Sequence, residues 1–369
     1  MLAVVSAGGV AAGAAPAPRM RAYEVGDRAT GITLHLVDRP VPVPGPGEVR
    51  LRVRVTGLNA RDLDLMRGIH VFGGARDPAS RIPLDDNACE VLETGPGVSG
   101  FQRGDRVMVT HFPLWVDGPW DDVTMSTIDF SVNRDGFLAE QVVVPAQGLV
   151  RIPDTVSDEE ASTLPNAGLT AWHAVAVDAK VRPGETVLTL GTGGVSMFGF
   201  QWARMRGARV GVTSSSDAKL ARLRELGAEF TVNYRSQPDW HEAVLAATGG
   251  KGVDVILNNV GISEMDRCIR ACASNGRIMV IGSNPVQRGG APVESEGLKT
   301  FPRNMIMHGL IVQGVIVGSR RMLEDLTAAV ASHRMHPIID RVFPFEEALD
   351  AVAYMQSGEK IGKILIRVS

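Results

Sequence analysis

Thr186-Val-Leu-Thr-Leu-Gly-Thr-Gly-Gly-Val-Ser196 runs from a short apolar strand through three glycines into helix-forming text. Gly191 permits a tight turn, and Gly193 lets the backbone come close to a pyrophosphate. The helix opening at Gly194, Val195 and Ser196 offers free N–H groups and a positive dipole end to phosphates. The third glycine of the G-x-G-x-x-G pattern is Ser196 here. In a strand–turn–helix setting the pattern reads as a dinucleotide turn. The plainer alternative is an ordinary tight turn of a doubly wound sheet.

The text on either side supports the first reading. Helical sequence continues to Arg206, and Gly207 suits a C-cap. Ala208-Arg-Val-Gly-Val-Thr213 is a second strand. Ser216 caps a helix with Leu220, Leu223 and Leu226 at helical spacing. Further strands follow at Phe230–Tyr234, Asp254–Asn259 and Arg277–Gly282. The alternation predicts an α/β, doubly wound parallel sheet over 168–317. Asn259, Val260, Gly282, Ser283, Val317 and Ser319 fall at strand ends or loops on its ligand-facing side.

The end of the second strand discriminates NAD from NADP. An acid there would bond the ribose 2′-hydroxyl. This chain has Thr213-Ser214-Ser215-Ser216, with Lys219 one turn on and Tyr234 ending the third strand. Hydroxyls and a lysine suit a 2′-phosphate, so NADPH is expected over NAD. Ser216 also reads as a helix cap.

Upstream, Val49-Arg-Leu-Arg-Val-Arg-Val55 alternates apolar and basic residues, as a half-buried strand does. Pro44-Gly-Pro-Gly47 is a turn before it, and Asp105–Val109 and Glu140–Val144 are further strands. Residues 20–167 therefore read as an antiparallel, barrel-like unit. Residues 318–369, ending in the strand 360–368, return to it. Residues 1–19 read as a disordered tail ahead of Met20, without the basic start of a secretory signal.

The chain of 369 residues carries a net charge of −3, which argues against nucleic acid or an anionic membrane as main partner. Three cysteines, Cys89, Cys268 and Cys272, make no disulfide framework and fit a reducing, cytoplasmic setting.

The glycine turn, the Thr213–Ser216 run and Leu164-Pro-Asn-Ala-Gly-Leu-Thr-Ala-Trp-His173 together resemble the medium-chain dehydrogenase/reductase superfamily. The likeness is greatest to its zinc-independent, quinone-oxidoreductase-like branch. Gly57-Leu-Asn-Ala-Arg-Asp62, Gly95-Pro-Gly-Val98, Gly104-Asp-Arg-Val107 and Val317-Gly-Ser-Arg320 add to it. The resemblance implies a GroES-like substrate unit beside a Rossmann cofactor unit, a small-molecule substrate in the cleft between them, and a homodimer or homotetramer. It places Thr170 near the nicotinamide, although a helix cap is the plainer reading of that residue.

In zinc-dependent members, the resemblance puts catalytic zinc on Cys, His and Cys at positions that read Asn59, Asp85 and Asn166 here. Zinc prefers N and S ligands, so no metal is expected. Hydride transfer then rests on the cofactor, and the protein must orient it and stabilise charge on the substrate. Asn59 is a candidate to donate to a substrate carbonyl or to hold the ribose, against a plain capping role. Asp85 and Asp86 are adjacent acids that could shuttle a proton, against a turn with solvated acids. Relatives often carry tyrosine where this chain has Ala60, and glycines where it has Asn87 and Cys89; these changes should reshape the pocket. His70, His111, Asp121 and Asp122 show no metal-site spacing. Three readings stay open: an NADPH-dependent reductase of conjugated C=C or carbonyl groups, a zinc-free alcohol dehydrogenase or imine reductase, and an NADPH-binding protein without turnover.

Overall fold

The computed structural model describes residues 18–26, 31–68, 81–282 and 296–369. The expected tail lies almost wholly outside them, as do His70 and Ser283. Two large sheets organise the chain. The first has six parallel strands in the spatial order Phe230–Asn233, Arg209–Ser214, Thr186–Leu190, Val253–Asn258, Cys272–Val280 and Ile311–Gly314. The first strand of this unit sits in the middle. Chain order therefore reverses between Thr186–Leu190 and Val253–Asn258, where such sheets open a ligand crevice. Thr186–Leu190 is buried along its whole length, which explains its unbroken apolar and threonine text.

Helix Gly194–Met205 packs on this sheet. A Cβ on Gly199 would lie 2.2 Å from Leu257 Cδ1, so this glycine sets the close helix–strand approach. In the G-x-G-x-x-G pattern the third glycine plays that part, and its position is Ser196 here. Ser196 is instead a buried hydroxyl that donates to Leu190 O at 2.9 Å.

The second sheet runs Ile339–Pro344, Lys363–Arg367, Glu48–Leu58, Asp86–Thr94, Arg106–Val109 and Leu149–Arg151, with Gln141–Pro145 also paired to Glu48–Leu58. All its pairings are antiparallel except the first. Its core gathers Val49, Leu51, Val53, Val91, Val107 and Ile364. The last strand is thus part of the barrel-like sheet. Helix Arg320–His333 buries Leu323, Leu326 and Val330 in the same core as Val187 and Trp202 of the parallel unit. The two units are laced together where Gly362 N–H donates to Thr192 O at 2.9 Å, against the glycine turn. No helix among the described residues is long and apolar enough to cross a membrane.

Candidate active site

A cleft of about 350 Å³ opens between the two sheets. One wall comes from the parallel unit: Gly193–Ser196, Asn259, Gly282 and Val317. The facing wall comes from the barrel: Leu58–Arg61, His111 and Phe112, with Asn166 and Thr170 between.

The glycine wall works through main chain. Gly191 adopts φ +83°, which only glycine takes cheaply. Gly193 caps the helix in extended geometry, and a Cβ there would meet nothing within 4 Å. The first intrahelical bond is Met197 N–H to Gly193 O, at 2.9 Å. The amides before it have no intrahelical acceptor and sit at the positive end of the helix. These residues fit a dinucleotide pyrophosphate. Asn259 donates to Ser196 Oγ at 2.8 Å, while its buried Oδ1 finds no partner among the described residues. Asn259 is also one of the residues that line the cleft.

Other predicted cofactor residues divide. Thr170 and Val317 line the cleft. Thr170 is no helix cap: its hydroxyl donates back to Asn166 O at 2.8 Å. Val260 packs with the core beneath the sheet instead of the cleft. Ser319 is buried as the cap of helix Arg320–His333, accepting from Met322 N–H at 3.2 Å. Ser214 is buried at the strand end, and its hydroxyl accepts from Ser216 N–H at 3.3 Å. Ser215 and Lys219 remain half-buried and Tyr234 is exposed. Lys219 Nζ reaches back to Thr192 Oγ1 at 3.5 Å and to Gly358 O. Lys360, unremarked in the sequence, lines the cleft nearby. Burial first, then the Lys219 and Lys363 charges, push its pKa down to about 8.

The barrel wall works through side chains. Register brings three strand ends together: Leu58 pairs with Ile364, and Gly57 with Asp86. Gly57 lacks a side chain where a Cβ would sit 3.2 Å from Asp86 Cβ. Leu84, with φ +72°, turns the following Asp85 inward. A π-helical turn at Leu164–Gly168 presents Asn166.

Asp85 and Asp86 are both buried, which removes the alternative of a turn with solvated acids. Asp85 Oδ1 accepts from Asn59 Nδ2 at 3.0 Å, and its Oδ2 accepts from Asn166 Nδ2 at 2.7 Å and Arg61 Nη1 at 2.9 Å. His111 Nδ1 lies 2.7 Å from the same Oδ2. Burial pushes the Asp85 carboxyl up, but His111, Arg61 and Asn166 outweigh it and hold its pKa below the ordinary range. Asp86 accepts from Asn166 N–H at 2.8 Å, Asn59 Nδ2 at 2.8 Å and the buried Lys363 Nζ at 2.6 Å. Burial and the neighbouring Asp85 raise its pKa despite Lys363. Neither acid lines the cleft. Asn59 is similarly engaged: both acids accept from its amide, and its Oδ1 accepts from Lys363 at 2.8 Å. Its donors are therefore turned to the acids behind the wall, away from a substrate carbonyl. Asn87 and Cys89 are buried and do not line the cleft; Asn87 staples Val109 across the sheet. The expectation that they reshape the pocket directly is not met.

The positions that hold zinc in zinc-dependent members do converge, but their chemistry does not fit that metal. Two amides point N–H groups at a carboxylate, and that carboxylate is already shared with a guanidinium and an imidazole. Sequence reasoning passed over Arg61, Asp129 and Lys363. Lys363 carried a readable signal, a lysine inside an apolar strand.

The sequence comparisons agree with this architecture. Residues 45–154 match the alcohol dehydrogenase GroES-like domain, and 194–332 match the zinc-binding dehydrogenase domain. A zinc-type alcohol dehydrogenase-like protein of Schizosaccharomyces pombe is 36% identical over 318 residues, covering 84% of this chain and 88% of that protein. This chain belongs to the medium-chain dehydrogenase/reductase superfamily. A candidate alcohol dehydrogenase from Sinorhizobium meliloti 1021 superposes with a TM-score of 0.83 at 36% identity, covering 95% of this chain and 99% of that one. A 2-haloacrylate reductase of a Burkholderia species is 30% identical, covering 76% of this chain and 78% of that protein. The chain is an oxidoreductase of the pyridine-nucleotide-dependent dehydrogenase fold.

Proposed function

We propose that the protein is an NADPH-dependent reductase that works without zinc and delivers hydride to a conjugated C=C bond, as in an enone or quinone, or to a carbonyl. The observation that carries this reading is the cleft itself. A main-chain pyrophosphate cradle faces a wall whose would-be metal positions are tied into a hydrogen-bonded network. Without a Lewis acid, a plain carbonyl is harder to reduce than a conjugated system, which spreads the developing charge. The similarity to a 2-haloacrylate reductase favours C=C reduction. Ser215, Ser216 and Lys219 at the second strand end, with no acid closing that strand, favour NADPH.

When bound, the cofactor supplies the hydride. Gly193 and the amides after it would hold its pyrophosphate, and Thr170, Asn259 and Val317 would border its nicotinamide. The apolar cleft wall would exclude water from the reacting face. The test mixes purified protein with NADPH or NADH and a panel of enones, quinones and ketones. Loss of reduced-nicotinamide absorbance with NADPH preferred, and a saturated product with its C=O intact, are expected. No oxidation with any acceptor would overturn the reading.

We also propose a cytoplasmic homodimer. Ile311–Gly314 is an edge strand with Ile306, Met307 and Ile311 exposed beside it, a surface suited to pairing with a second copy. A monomer by sedimentation equilibrium at micromolar concentration would argue against it.

A further inference from the structure

Two cations line the cleft at different places: Lys360, next to the glycine turn, and Arg61, on the barrel wall. Arg61 is held from behind. Its Nη1 donates to Asp85 at 2.9 Å and lies 2.9 Å from His111 Nε2, and its Nη2 donates to Asp129 at 2.8 Å. These partners are buried, with side-chain exposures of 0%, 3% and 9%, whereas the Arg61 side chain keeps 17%. Arg61 is thus the most exposed side chain of the cluster, and it lines the cleft together with His111. Burial alone would lower its pKa, but Asp129 and Asp85 more than offset that, so the charge is fixed. A guanidinium carries five N–H donors, and three serve the partners just named.

We propose that Arg61 is the electrophile of this active site: it donates to the carbonyl oxygen of an uncharged conjugated substrate, where zinc-dependent relatives use a metal. This inference rests on the reductase reading above. The substrate's β-carbon accepts the hydride, the C=C electron pair shifts toward the carbonyl, and negative charge gathers on the oxygen facing Arg61. A proton from solvent at the α-carbon completes the product. One reduced nicotinamide and one proton are consumed per double bond.

The charge balance sets the substrate class. Asp85 and Asp129 neutralise Arg61. Beside Arg61 no net positive charge is left to compensate a substrate carboxylate, and Lys360 stands apart next to the glycine turn, so the Arg61 position suits a neutral enone over the matching enoic acid.

The experiment uses full-length wild type with Arg61→Met and Arg61→Lys. Infrared difference spectra of a bound carbon-13-labelled saturated ketone, with oxidised cofactor present, report polarisation of its C=O. The band should move to lower wavenumber in wild type and lose that shift in Arg61→Met. The kcat for a neutral enone should fall on the order of 100-fold, as when one oxyanion donor is removed, with KM changed far less. Arg61→Lys, which keeps a charge beside Asp85, should lose at least about tenfold and serves if the methionine variant does not fold. An unchanged band shift, kcat within threefold of wild type, or failure of wild type to bind the ketone overturns the proposal. If wild type reduces no acceptor, the reductase reading fails, and the infrared comparison alone decides Arg61.

Discussion

The glycine turn on one wall of the cleft acts through main chain within a single strand–helix step, whereas the Asp85 cluster on the other acts through side chains drawn from segments as distant as Asn59 and Lys363. The first wall needs little but the absence of side chains. The second needs every partner at once, because each buried charge is tolerated only while its neighbours compensate it. The two walls should therefore fail differently. Damage to the glycine wall where a side chain meets nothing, as at Gly193, should cost ligand binding and spare the fold, and damage to the acid cluster should cost the fold itself.

The largest expected effect is at Asp85. Asp85→Ala removes the shared acceptor of Asn59, Asn166 and Arg61 and leaves Arg61 with Asp129 as its one remaining ion-pair partner among the described residues. Breaking one side of such a cluster costs about 3–5 kcal/mol. Urea unfolding should show that loss, and a change below about 1 kcal/mol would mean that the cluster relaxes freely.

The opposite behaviour is expected at Gly193. Its backbone lies at φ −75°, ψ 179°, which any residue adopts, and a Cβ there meets nothing within 4 Å. Gly193→Val should fold with an unchanged melting temperature and bind NADPH on the order of 100-fold more weakly, about 2.7 kcal/mol. Gly194→Ala supplies the contrast one residue on. Its Cβ would fall 2.8 Å from Lys363 Cδ and 3.2 Å from Ala167 Cβ, so both melting and binding should suffer. If Gly193→Val lowers the melting temperature as much as Gly194→Ala does, the division between the walls collapses.

The same division explains what could be read in the chain. The glycine turn was legible because its whole function lies in contiguous residues with a strand before and a helix after. Ser196 was legible as an exception to the pattern, but its compensation at Gly199 was not, since that depends on Leu257 from another strand. The acid cluster was visible only in fragments. Asp85, Asp86, Asn59 and Asn166 stood out by family resemblance, yet nothing local said that they were buried. Arg61 stood only inside the Gly57–Asp62 stretch of the family likeness, and it is the fold that sets it against Asp129 and His111, residues far along the chain. Register decided the rest: pairing of Leu58 with Ile364 puts Lys363 beside Asn59, and sequence alone does not state that register.

A subtler asymmetry lies within the acid cluster. Asp85 holds its pKa below the ordinary value, whereas Asp62, fully buried beneath the same wall, is pushed well above it by burial and by Asp85. Asp62 Oδ2 accepts from Asn59 N–H at 2.6 Å, but Oδ1 finds no partner among the described residues. The signs then oppose. The stabilisation from Asp85 is present above the unfolded carboxylate pKa of about 3.9 and is lost as pH falls toward its depressed folded value. The contribution of Asp62 is fully present below about 3.9 and is lost as pH rises through its raised folded value. Asp62→Asn keeps an oxygen for Asn59 N–H and removes the titration. Its melting temperature relative to wild type should therefore climb as pH goes from 5 to 9. A flat difference across that range would mean that Asp62 stays ionised like Asp85, and that the compensated and uncompensated acids of this wall are electrostatically alike.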